Sequence, residues 1–470
     1  MDNKNYNPGD TQIVFGSEEM RESAPSEFIP KHKTPAPIAY QIVKDETFPQ
    51  TQPRLNLATF VTTYMDDYGT KLMNEAVGIN YIDETEYPRV AVMCGRCINM
   101  VANMWNSPEK ADWKTGAVGI GSSEACMLGG VAAWLRWRER RKAEGKPYDK
   151  PNLVMSTAYQ VVWEKFCKLW QIELRQVPLT REKRTLCAED AIKLCDENTI
   201  CVVGIAGVTW TGLNDDIEAL DKALDKYNAH TGHNIPIHVD GASGGFILPF
   251  IKPHHKWDFR LKWVVSISTS GHKFGLVYPG LGWVVWRDKS YLPEEMSFSV
   301  NYLGAEVTQV GLNFSRPAAQ VLGQYYNFIR LGREGYTRVQ QNSMEIARYC
   351  HKRIGEMECF ENYSDEVVNP LFVWSLSEEY LKSAKWTLYD LQALLQQSGW
   401  MGPAYSLPKD IEDIVVMRIV VRQGMSRDMA DMLLKDIENG VAELNKLKYP
   451  TASRQAYEKQ EKQRGRVFTH

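Results

Sequence analysis

The chain has 470 residues, 44% of them hydrophobic and 24% charged, with 55 basic and 58 acidic side chains leaving a formal net charge of −3. That is an ordinary soluble globular composition, long enough for two or three domains. Near-balanced charge offers no basic surface for nucleic acid or an anionic membrane. The longest apolar stretch, Cys126–Leu135, falls far short of the roughly 20 residues that span a bilayer.

Residues 1–54 are polar and punctuated by Pro30, Pro35, Pro37, Pro49 and Pro53, so they read as an N-terminal arm with short helical turns near Ile38–Lys44. The arm has no apolar core of a secretory signal, which points to the cytoplasm. Residues 55–345 read as a large α/β domain. Short β-branched runs at Leu153–Met155, Ile172–Val177, Ile200–Ile205, Ile235–Val239, Trp263–Ser268 and Leu281–Trp286 alternate with helical periods at Glu124–Arg141, Tyr159–Trp170, Ala188–Cys195 and Asp216–His230. Strands buried on both faces and separated by helices predict a mainly parallel sheet. Residues 346–450 follow as a smaller α+β domain, with strands at Leu371–Trp374 and Ile414–Val421 and a charged helix over Arg427–Leu447. Residues 451–470 form a polar tail, expected to be mobile unless a partner surface holds it.

Nine scattered cysteines suit reduced thiols better than a disulfide framework. Cys94 and Cys97 form a CxxC without a second such pair or suitable histidines, on a segment that looks helical, so no metal site is expected. His254-His255 reads as a loop pair.

The chemistry is sought at strand ends, because ligands of open α/β sheets bind at the carboxyl ends of strands. The run Ile235–Val239 leads into Asp240, where a carboxylate is costly unless it meets a cation or donors. It is either a loop cap or metal ligand, or the acid that keeps a pyridine nitrogen protonated. Trp263–Ser268 leads through Ser270 and His272 to Lys273. That lysine either snorkels to solvent or loses hydration in a cleft and becomes a nucleophile toward an aldehyde. Together the pair matches a pyridoxal phosphate site. Gly119–Glu124 precedes a helical run, placing Ser122 or Ser123 near an N-cap where free N–H groups favour a phosphate. Plain capping is the bland alternative, and no GxxxxGK[ST] accompanies it.

The segments Asn56–Phe60, Ile120–Gly130, His238–Asp240 with Ser243–Phe246, Ser270–Gly275 and Asn313–Arg316, in this order between about Asn56 and Glu443, resemble glutamate decarboxylases of the bacterial and plant type. The resemblance implies a fold-type-I pyridoxal phosphate enzyme converting L-glutamate to 4-aminobutyrate and CO2, with Lys273 as the Schiff-base lysine and Asp240 at the pyridine nitrogen. It implies that Ser122, Ser123, Ser270 and His272 hold the phosphate, with Ser315 from a neighbouring subunit, so that the chain is at least a dimer and could reach a hexamer. Gln160 and Ala242 would flank the ring and Thr209 its polar edge. Thr59, Phe60, Asn80 and Asp83 would surround the distal carboxylate of the substrate, and Arg418 would grip the α-carboxylate. Tyr302 and Leu303 fall in a segment resembling a mobile active-site loop, and Lys273 or Tyr302 would return a proton to Cα.

Each assignment has a plainer reading beside it. Gln160 could be a helix-surface residue, Thr209 a strand-end hydroxyl, Arg418 an outward charge, and Asp83 a solvated acid in the run Asp83–Glu86. Gly241 and Gly402 depart from bulkier residues in relatives. Enterobacterial relatives carry a penultimate histidine that plugs the site, whereas His470 is the last residue here. Gln460–Gly465 has no tryptophan, against a calmodulin-binding extension. Another decarboxylase or lyase on the same fold, an aminotransferase, and a non-catalytic binding module are the rivals. Proton consumption would suit acid resistance.

Overall fold

The computed structural model describes residues 14–81, 86–300 and 307–467. The chain separates into two compact units, Met1–Pro53 and Arg54–His470. Within the first, Pro37 sits in the opening turn of a helix over Ala36–Glu46 and Ile38 is its buried residue.

The second unit is built on a seven-stranded sheet. Its strands are β1 (Gly116–Gly119), β2 (Asn152–Ser156), β3 (Glu173–Val177), β4 (Thr199–Ile205), β5 (Ile237–Asp240), β6 (Val264–Ser270) and β7 (Gly282–Trp286), in the order β1-β7-β6-β5-β4-β2-β3. The pairs β2–β3, β2–β4, β4–β5 and β5–β6 are parallel, and β7 runs antiparallel to β6 and β1. The mainly parallel sheet expected from the apolar runs is therefore present. Every residue of β2, β4, β5, β6 and β7 is buried, as β-branched runs covered on both faces require. A second, antiparallel sheet contains β8 (Phe360–Asn362), β9 (Leu371–Leu376), β10 (Ala404–Ser406) and β11 (Val415–Val420) in the order β8-β9-β11-β10.

The segment expected as a polar tail carries secondary structure. Ala452–Val467 is helical, and its start is held by a distant acid: Thr451 Oγ1 donates to Asp390 at 2.9 Å and Ser453 Oγ to the same carboxylate. Arg454 is buried and paired with Glu458 one turn on. No helix among the described residues is long and apolar enough to cross a membrane.

Close backbone approach fixes the edge of the sheet. A Cβ on Gly282 would stand 2.2 Å from the carbonyl carbon of Gly121, just before the Ser122–Ala143 helix. Gly282→Ala should therefore lower stability by about 1–3 kcal/mol, read as a lower urea midpoint. An unchanged midpoint would mean that the helix start is free to shift.

Two buried titratable groups near the same edge have opposite pH behaviour. His238, fully buried, bonds Ser266 Oγ through Nδ1 at 2.7 Å and Ser268 Oγ through Nε2 at 3.0 Å. Burial pushes it from 6.5 down to about 4, against the pull of Asp240. Asp215, 2% exposed, accepts the N–H groups of Leu186 at 2.9 Å and Ile205 at 2.8 Å. Burial raises it from 3.8 to about 6 despite those donors. As pH falls from 6.5 to about 4, unfolded chains protonate this histidine while the native chain does not, so stability is lost. Between about 6 and 3.8 the native chain protonates Asp215 first, so stability is gained. Each effect is on the order of 3 kcal/mol, and the two nearly cancel. Urea midpoints at about pH 7 and pH 4.5 should show Asp215→Asn losing more stability than the parent on acidification, and His238→Gln losing less. Parallel profiles for all three proteins would refute the offset.

Candidate active site

β1, β2, β4, β5 and β6 all end on one edge of the sheet, since β1 and β6 both oppose β7. Asp240 closes β5 opposite Ile205 of β4, and Ser270 closes β6 opposite Gly282 of β7. The turns leaving this edge carry Ser122, Ser123, Gln160, Thr209, Asp240, Ala242, His272 and Lys273 onto a single cavity of about 570 Å³. The parallel register gathers residues that lie up to 151 positions apart in the chain (273 − 122).

One end of the cavity suits an anion. Gly121, in extended backbone, is the N-cap of the Ser122–Ala143 helix, and no side chain caps it. The plain capping reading of Ser122 and Ser123 therefore fails, and both serines stand in the first turn, where helix N–H groups and the dipole favour negative charge. Ser270, two residues before His272, does not line the cavity; it is fully buried, and its hydroxyl has no hydrogen-bond partner among the described residues. His272 accepts the N–H of Leu281 at 3.1 Å on Nδ1. Burial, and then the Lys273 charge, push it down to about 4, so it is a neutral ring with an Nε2–H to donate. Glu124 secures this end: it accepts Ile120 N–H at 2.9 Å and reaches across to Leu312 N–H at 2.9 Å.

The other end holds an acid and an amine. Asp240 is 3% exposed; its Oδ2 accepts the indole N–H of Trp163 at 2.9 Å and its Oδ1 the N–H of Ala242 at 3.1 Å. Burial lowers the Lys273 amine, while Asp240 and Cys126 oppose the shift. Its loop is tied from two sides. Thr62 N–H donates to His272 O at 2.7 Å and Thr62 Oγ1 to Lys273 O at 2.6 Å. Gln340, Tyr336 and Asn327, from the long Ala319–Gly355 helix, donate to the carbonyls of Phe274, Gly275 and Leu276 at 2.9, 2.9 and 2.7 Å. Leu276 holds φ at 66°, a conformation these bonds enforce.

A third group closes over Lys273. Its Nζ lies 5.4 Å from the Phe60 ring centroid, and the Arg418 guanidinium lies 4.7 Å from the same ring. Arg418, on β11, is 8% exposed and therefore not an outward charge. It donates to Thr209 O, and to Ala58 O at 2.8 Å. Its Nε–H is buried without a hydrogen-bond partner among the described residues. Thr59 adjoins Phe60 and accepts Val61 N–H at 3.0 Å.

Two other expected residues gather elsewhere. Asn80 accepts Arg316 N–H at 3.0 Å and lies 3.4 Å from Ser315 Oγ of its own chain; neither it nor Ser315 lines the cavity. Asp83, Tyr302, Leu303 and His470 lie outside the described residues. Gln160 lines the cavity but its Oε1 also caps the Val161–Leu169 helix, accepting Val162 N–H at 2.7 Å. Sequence reading missed Trp163 and Glu124, which look like an ordinary core aromatic and an N-terminal helix acid. Cys94 and Cys97 are both buried on the Pro88–Met104 helix, and no group of described residues could hold a metal ion.

Pyridoxal phosphate fits this arrangement: an orphaned buried hydroxyl and a helix start uncapped by any described side chain for the phosphate, with an acid and a desolvated amine on the same cavity. The profile of the pyridoxal-dependent decarboxylase conserved domain matches residues 30–377. Glutamate decarboxylase beta of Listeria innocua is 46% identical over 434 residues, covering 92% of this chain and 93% of its own. Glutamate decarboxylase 5 of Arabidopsis thaliana is 44% identical over 435 residues, covering 92% and 87%. The solved structure of Lactobacillus brevis glutamate decarboxylase superposes with a TM-score of 0.89 at 43% identity, over 92% of this chain and 98% of that one. With a matched domain, relatives of this identity and a shared fold, the chain belongs to the glutamate decarboxylase family of pyridoxal-dependent decarboxylases.

Proposed function

We propose that this protein removes the α-carboxylate of L-glutamate, yielding 4-aminobutyrate and CO2, with pyridoxal phosphate as cofactor. The observation that carries the reading is the single cavity joining a bare helix start, the strand-end Asp240 and the desolvated Lys273, beside the buried Arg418. When bound, the cofactor supplies an aldehyde and a protonated ring able to take up the electron pair left as CO2 departs.

The residues supply placement and protons. Ser122, Ser123, Ser270 and His272 would hold the phosphate, with Gln160 and Ala242 beside the ring and Thr209 at its polar edge. Asp240 would hold the proton on the ring nitrogen. Lys273 would bind the aldehyde through Nζ, whose proton burial makes easier to lose. Arg418 already gives two of its five N–H groups to backbone carbonyls, which fixes the plane of the guanidinium, and its other N–H groups, Nε–H among them, would meet the α-carboxylate. That grip, with Thr59 and Phe60 and with Asn80 and Asp83 brought by the neighbouring copy that also brings Ser315, all around the distal carboxylate, would orient the bond to be broken. Asp83 shares a proton with that carboxylate, since two adjacent negative charges repel. Lys273 or Tyr302 delivers the proton that replaces CO2 at Cα.

The reaction takes up one proton per turnover, which suits a cytoplasmic role in acid resistance. Ser315 serves the phosphate of a neighbouring copy, making the working form a homo-oligomer, a dimer at least.

Purified protein with pyridoxal phosphate and ¹³C-carboxyl glutamate should release labelled CO2 and equal 4-aminobutyrate at about pH 4.5. Lys273→Ala should release none and should leave no borohydride-fixed cofactor. Bound cofactor without CO2 from glutamate would overturn the substrate assignment. Arg418→Lys should lower kcat/KM for glutamate about 10- to 100-fold, since a directed charged hydrogen bond is lost. An unchanged kcat/KM would remove Arg418 from the substrate site.

A further inference from the structure

We propose that Trp163 is a positioning residue for the reaction: its indole N–H fixes Asp240 in the charged form and the orientation that keep a proton on the cofactor's ring nitrogen. This rests on the functional reading above and names a group that reading does not use. Asp240 lines the cavity but is only 3% exposed, and among the described residues Lys273 attracts it without forming an ion pair. What holds it are neutral donors: Trp163 Nε1–H on Oδ2 at 2.9 Å and Ala242 N–H on Oδ1 at 3.1 Å. An indole and a peptide N–H can donate but not accept. A protonated carboxyl would need an acceptor, so both partners select the carboxylate. The Cys126 thiol also lies against Asp240, and burial keeps it protonated. Among the described residues no cation lies at ion-pair distance from the acid, so none of them competes there with the pyridinium.

The indole is held as tightly as the acid. Trp163 is fully buried and packs edge-on to His238, with ring centroids 5.2 Å apart and planes at 62°. His238 is itself pinned between Ser266 and Ser268. From the other side comes the Ser122–Ala143 helix. A Cβ at its Gly129 would stand 2.4 Å from His238, and one at its Gly130 would stand 2.6 Å from Phe166, the second ring edge-on to Trp163. The helix that offers its start to the phosphate thus also closes the slot around Trp163.

The test uses holoenzyme loaded with ring-¹⁵N pyridoxal phosphate, whose nitrogen resonance separates protonated from neutral ring as pH rises. Trp163→Phe keeps a ring in the slot and removes the N–H. Its ring nitrogen should lose its proton with about tenfold weaker affinity than in the parent, and apoprotein should bind the cofactor about tenfold more weakly. Phe166→Leu, which disturbs packing but leaves the N–H, should move neither. If Trp163→Phe does not fold, Trp163→Leu is read the same way, since it too removes the N–H and adds no other donor. An unchanged nitrogen titration in whichever variant folds would overturn the role of Trp163 alone. A parent that takes up no cofactor would overturn the functional reading and this inference with it.

Discussion

The site depends on a carboxylate almost wholly withdrawn from water. Asp240 ends a strand whose every residue is buried, and an isolated charge there would cost several kcal/mol. The chain meets that cost locally with neutral N–H donors. That choice leaves the acid's charge only partly satisfied, which is what a cationic ring nitrogen requires. A lysine or arginine in contact would have stabilised the empty protein better and the loaded one worse. Lys273 faces the same cavity, and its desolvation outweighs the attraction of Asp240. The acid and the amine are therefore kept apart in role by burial, although they share one space.

Much of this frame was legible in the sequence. Six of the seven sheet strands announce themselves as β-branched apolar runs, and Asp240 and Lys273 are visible because each follows such a run directly. β1 is not visible: Gly-Ala-Val-Gly has too little apolar bulk to mark a strand, and it is recruited by pairing with β7. The terminal helix is hidden for a related reason. Its composition is polar, and what holds its start is Asp390, some 60 residues away in the chain. Long-range bonds of this kind leave no local pattern.

The resemblance to glutamate decarboxylases located residues but not their arrangement. It placed Asn80 with Thr59 and Phe60, yet within one chain Asn80 holds the 315–317 turn while Phe60 packs over Lys273. It marked Ser122 and Ser123 without telling capping from ligand binding; the cap proved to be Gly121, with the hydroxyls left over. It passed over Trp163, because a tryptophan at helical spacing among Val162, Phe166 and Cys167 reads as core. Core it is, but its one polar atom points at the acid. Only coordinates separate an indole that merely fills space from one that also orients a charge.

The link between the two sheets explains why the substrate side is assembled from both. Arg418 and Arg422 are four residues apart along one extended segment, and side chains at that spacing share a face. Both reach the same partner, the 56–63 segment: Arg418 donates to Ala58 O at 2.8 Å, and Arg422 to Val61 O at 3.0 Å and Thr63 Oγ1 at 2.7 Å. That segment in turn bonds the Lys273 loop through Thr62. Each arginine thus satisfies carbonyls of a strand-like stretch that has no sheet of its own, apart from the Asn56–Met401 bridge. Arg418 alone extends further, to Thr209 O on the turn after β4. A cation so placed touches the four-stranded sheet, the 56–63 segment and the large sheet's edge at once. A shift of either sheet relative to the other would move the guanidinium away from Lys273. The geometry needed for selective bond breaking is therefore a property of the folded whole, and Arg418 is where it converges.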